Sequence, residues 1–159
     1  MPATRVVSGT LDSGQGAPGE AVMKQWGLAF VAGFVSTLLF HQGVLHLLHV
    51  AGVFPRPAWN MAAVPPFGVP AVLSLAFWGG VWGPVLWALV RKYRGGPRWL
   101  WGAIWGALLP SLVALLVVMP LKGMPMAGGF DPKLILGALL LNGAWGLGVV
   151  GLMRLYGQR

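Results

Sequence analysis

The sequence predicts an all-α integral membrane protein: four transmembrane helices arranged as two duplicated helical hairpins, with an irregular, proline-rich apolar outer loop after helix 1. Three observations carry this. First, 57% of the 159 residues are apolar and only 9% are charged, whereas a soluble domain carries about 25% charge. Such a chain cannot cover itself with water-compatible groups. Second, its apolar residues fall into four runs, and a bilayer-spanning helix needs ~20 residues. Third, a stretch near the end of the second run recurs near the end of the fourth.

Residues 1–24 are rich in Gly, Ser and Pro and read as a disordered cytoplasmic tail. No apolar core adjoins their charges, so they do not resemble a signal peptide. Pro2 excludes myristoylation, and the absence of cysteine excludes acylation at a thiol, disulfides and iron–sulfur clusters. Residues 25–159 then form a single four-helix transmembrane domain. The first span is expected from about Trp26 to Val53, with Lys24 and Trp26 at the near interface. At ~1.5 Å per residue, His41 lies ~22 Å from Trp26, in the far leaflet. At ~100° per residue, Gln42, His46 and His49 share an arc of roughly 60°.

The loop from Phe54 to Pro70 contains Pro55, Pro57, Pro65, Pro66 and Pro70, which rule out a regular helix. It is nevertheless apolar, with Phe54, Trp59, Met61, Val64 and Phe67, and is expected to lie at the interface or against the bundle. The second span, about Val69 to Val90, carries Gly79-x-x-x-Gly83 and a kinking Pro84. After the basic turn RKYRGGPR, the third span runs from about Trp99 to Leu121, with Gly102-x-x-x-Gly106 and Pro110. The fourth runs from about Leu134 to Met153. There Gly137, Ala144, Gly148 and Gly151 make a smooth face and Asn142 is the one polar side chain near mid-membrane. FDP before this span reads as a cap, with Asp131 ahead of Pro132 at the first helical position.

Charge sets the expected orientation. Arg5, Lys24, Arg91, Lys92, Arg94, Arg98, Arg154 and Arg159 fall on one side, against Arg56, Lys122 and Lys133 on the other. The positive-inside rule then puts both termini in the cytoplasm and the histidines outside. It also explains the net charge of +8 without a nucleic-acid partner. Abundant Gly, Ala, Trp and Arg fit a GC-rich bacterium, and hence the cell (inner) membrane.

GVWGPVLWALVRKY from Gly80 aligns without a gap on GAWGLGVVGLMRLY from Gly143, with Gly80/Gly143, Trp82/Trp145, Gly83/Gly146, Leu89/Leu152, Arg91/Arg154 and Tyr93/Tyr156 identical. The first and third spans match weakly, Trp26-Gly27 on Trp101-Gly102 and Ser36 on Ser111. The chain therefore reads as a parallel repeat with halves at about residues 26–93 and 99–156. The first half is longer, and its excess falls in the histidine and proline region.

Few groups could carry chemistry. His46 and His49, an i, i+3 pair, could hold one metal ion, and Met61, Met119, Met124 and Met126 on the same side would suit copper. The bland alternative is histidines bonded to backbone or water and methionines as adaptable filler. All three histidines lie on one helix, so one chain cannot clamp a haem between facing histidines, and no cofactor is expected. Ser36, Thr37, His41, Gln42 and Asn142 could line a polar path, but such residues more often make interhelical contacts. The three acids, Asp12, Glu20 and Asp131, supply no serine–histidine–carboxylate set, so an enzyme is not expected. Gly79, Gly83, Gly102, Gly106 and Gly148 are the candidate helix-packing positions. The expected function is that of a non-enzymatic multi-pass membrane protein, an accessory or interaction subunit whose partners are the lipid bilayer and other membrane subunits or copies of itself. A small oligomeric channel or carrier is the main alternative, and an outward His/Met copper site a further one.

Overall fold

The computed structural model describes residues 18–158. Residues 1–17 of the expected tail lie outside the described residues. Pro18–Lys24 are already helical. Pro18 opens α1 (Pro18–Ser36), and Glu20 sits in its first turn. A proline at the first position and an acid beside the exposed N–H groups both favour a helix start.

Four helices are long and apolar enough to cross a bilayer, over Gly19–Val50, Ala71–Val90, Gly96–Leu121 and Pro132–Leu155. The first joins α1 to α2 (Gln42–Val50) through a π-helical turn, Thr37–His41. The second is α3 (Ala71–Val90), uninterrupted through Pro84. The third comprises α4 (Gly96–Val113), a second π turn at Ala114–Val118, and α5 (Met119–Leu121). After a short turn, α6 (Ala127–Phe130), comes α7 (Pro132–Leu155), where Asp131 Oδ1 accepts the Lys133 N–H at 2.9 Å.

The loop after the first span is not wholly irregular. Strands β1 (Ala63–Val64) and β2 (Val69–Pro70) pair antiparallel, with Ala63 opposite Pro70 and Val64 opposite Val69. Composition hid this because two-residue strands leave no alternation to read.

The helices pack α1 on α3 and α4 on α7, and α1 crosses to α7 between the pairs. Close backbone approach is what the glycines provide. A Cβ added at Gly33 would run into the Gly79 carbonyl and lie 3.0 Å from Gly83 Cα, and one at Gly106 would lie 2.7 Å from Gly146 Cα. Without side chains between them, helices gain dispersion contacts that lipid cannot supply. The core sits toward the end where α1 begins and α7 ends, with Trp87, Leu86, Val90, Trp145, Val149, Val150 and Met153 buried around Ala29 and Ala32.

Candidate functional site

The histidine end of the first span is built around one side chain, Trp59. A π turn takes carbonyls out of the regular ladder and frees them for other donors. Within the turn at Thr37–His41, the Leu38 carbonyl accepts the Trp59 indole N–H at 2.9 Å. One turn on, buried Gln42 accepts the Trp59 backbone N–H through Oε1 at 2.7 Å. His46 lies against the indole, ring centres 5.5 Å apart. Trp59 has φ +51°, a left-handed conformation uncommon outside glycine, and these three contacts hold it there. Phe54 anchors the start of the loop by placing its ring where a side chain on Gly137 would stand.

The hydrogen bonds assign the histidine tautomers. His49 Nδ1 lies 2.9 Å from the Phe54 carbonyl. A carbonyl only accepts, so Nδ1 carries a proton. Gln42 spends its oxygen on Trp59, so its amide nitrogen faces His41 Nδ1 at 3.3 Å. His41 Nδ1 therefore accepts. His46 is exposed and meets Trp59, while half-buried His49 turns to Phe54. The structure thus gives the proposed metal pair separate partners. Among the described residues no three His, Cys, Asp or Glu side chains converge as ligands. Met61, Met124 and Met126 are exposed.

The polar residues at mid-membrane bond to one another and to backbone. Ser36 donates to the Trp145 carbonyl at 2.7 Å, and the Trp145 indole N–H donates to the Gly33 carbonyl at 2.9 Å. Thr37 donates to that same carbonyl at 3.0 Å. Asn142 donates to Ser111 Oγ at 2.9 Å, joining α7 to α4. The small-residue positions lie inside these contacts. Gly79 and Gly83 face α1, Gly102 and Gly106 face α7, and Gly148 faces Ser36 and Phe40.

Sequence reasoning missed Arg98, which it counted only as a topological charge. The side chain is 7% exposed. Its Nε–H donates to the Tyr93 carbonyl at 2.7 Å, and its terminal nitrogens donate to the carbonyls of Gln158 at 3.0 Å and Arg91 at 3.3 Å. One guanidinium therefore ties the ends of α3 and α7 to the start of α4. One signal was available. A cation in the first turn of a helix opposes the dipole, whereas one beside C-terminal carbonyls is favoured. Arg98 resolves this by turning back.

Four bilayer-length apolar helices define the class, a multi-pass helical membrane protein. No protein-family model matches the chain, and neither does any curated protein or solved structure compared with it.

Proposed function

We propose that this is a non-enzymatic accessory or interaction subunit of a cell membrane, bacterial by composition, with both termini in the cytoplasm. One observation carries the reading: the buried polar side chains Ser36, Thr37, Gln42 and Ser111 all take part in hydrogen bonds within the chain. A solute path needs polar groups free to exchange partners, and these are occupied. Gly79, Gly83, Gly102, Gly106 and Gly148 pack within the chain, so they do not argue for a partner. What remains for a partner is α4 and its continuation, the least covered span, with Leu100, Leu108, Leu112, Leu116 and Val117 exposed.

The two halves are proposed to be duplicated hairpins. Gly83 abuts the Ala29 carbonyl and Gly33, as Gly146 abuts the Gly102 carbonyl and Gly106. These contacts pair Gly33 with Gly106, two residues away from the register that Trp26 and Trp101 suggest. Each first helix also contains a five-residue π turn.

The test is purification in mild detergent, with the molecular mass, co-purifying chains, metal content and absorption spectrum measured on one sample. A second membrane polypeptide in fixed ratio is expected. A lone monomer, or solute flux in proteoliposomes, overturns the subunit reading.

A further inference from the structure

At the end of the bundle where α1 begins and α7 ends, a cavity of about 510 Å³ has Gln25, Trp87, Arg91, Lys92, Arg98 and Gln158 in its lining. Among the described residues no carboxylate lines it. Its cations rest on aromatic faces instead: Arg91 lies 5.2 Å from the centre of the Trp26 ring, and Arg98 lies 5.2 Å from that of Trp87. The cavity is also lined by residues whose donors are not all used among the described residues. A guanidinium has five N–H groups, and Arg98 spends three on carbonyls. Trp87 is 2% exposed, and its indole N–H has no acceptor among the described residues. A buried donor without an acceptor is unfavourable, and this one belongs to a side chain that lines the cavity.

We propose that this cavity binds a phosphate group, supplied by the headgroup of an anionic lipid. The donors come from α1, α3, α4 and the segment after α7, so they approach from several directions. A tetrahedral anion with several acceptor oxygens satisfies such a set better than one planar carboxylate. The cavity lies at the ends of membrane-length helices, at headgroup depth, where basic pockets between spans take anionic lipids. Bound there, the phosphate bridges Arg91 and Lys92 to the Arg98 staple. The lipid becomes part of the joint between the two helix pairs.

The test is native mass spectrometry of the full chain in detergent, titrated with phosphatidylglycerol or with phosphatidylcholine. One tightly retained phosphatidylglycerol is expected, with phosphatidylcholine lost at low activation. The exposed pair Arg91→Gln/Lys92→Gln should cut retention about tenfold or more, while the equal charge change Lys122→Gln/Lys133→Gln at the other end leaves it unchanged. Trp87→Phe keeps the ring packing, removes the orphan donor, and should weaken retention severalfold. An excess of inorganic phosphate separates the sources. Lipid that stays bound supports the proposal, and lipid displaced by phosphate assigns the cavity to the free anion and overturns the lipid source. Equal retention of the two lipids, or equal retention by the two double variants, overturns the site itself.

Discussion

At the termini end a buried guanidinium gathers carbonyls from beyond α3 and α7, whereas at the histidine end an indole that is 43% exposed ties a loop to a single helix. Both devices use a side chain to occupy backbone carbonyls at places where a helix ends or its ladder loosens. They differ in charge and in surroundings. A charged donor on a buried side chain makes a stronger bond than a neutral donor on an exposed one. Arg98 also joins segments about 60 residues apart, while Trp59 reaches back about 20. The termini end should therefore fail only together with the whole fold, and the histidine end should open by itself.

Substitutions at four positions probe that contrast. Gly146→Val should have the largest effect, about 3 kcal/mol of destabilisation, because a side chain there meets the Gly102 carbonyl and Gly106 backbone, neither of which can swing away. Its readout is the loss of helicity on titrating dodecyl sulfate into the detergent-solubilised protein. Arg98→Ala comes next, at about 2–3 kcal/mol. Arg98→Lys should recover only part of this, since a single ammonium cannot reproduce the planar fork that serves three carbonyls. Thermal melts that rank lysine equal to arginine would show that charge alone matters there. Trp59→Phe removes the indole N–H and keeps an aromatic ring. It should cost ~1 kcal/mol, expressed as faster amide exchange in the Phe54–Pro70 loop with an unchanged global melt. A matching fall in the global melt would erase the distinction between the ends. His46→Ala should be smallest, within ~0.5 kcal/mol, and stoichiometric copper lost on that change would turn the histidine end into a metal site.

Much of the fold was legible because apolar run length, glycine spacing and capping residues are local signals. Except at the start of the first span, the span ends fall within a few residues of their expected places, and Asp131 caps α7 as its neighbour Pro132 implied. The shared phase of Gln42 and His46 was also legible, since α2 is regular: both meet the same tryptophan, while His49 turns to Phe54. The π turns were not, because five residues in a wider register have the same composition as five in a tight one. Trp59 and Arg98 were not either. Their partners lie far along the chain, and neither residue type specifies a distant carbonyl. The early helix start at Pro18 was masked by the Gly-, Ser- and Pro-rich stretch before it.

The π turn at Thr37–His41 has one more consequence, in angular terms. A π bulge corresponds to one extra residue in an α-helix, and one residue advances the azimuth by ~100°. Before the turn, α1 presents Ala29 and Gly33 to α3. After it, Gln42 and His46 look toward the loop. Removing one residue from the turn would swing α2 by about a quarter revolution, carrying Gln42 off Trp59 while leaving the Gly33 contact in place. The widened turn thus works as a phase adapter, letting one continuous rod address a helix with its first half and a loop with its second.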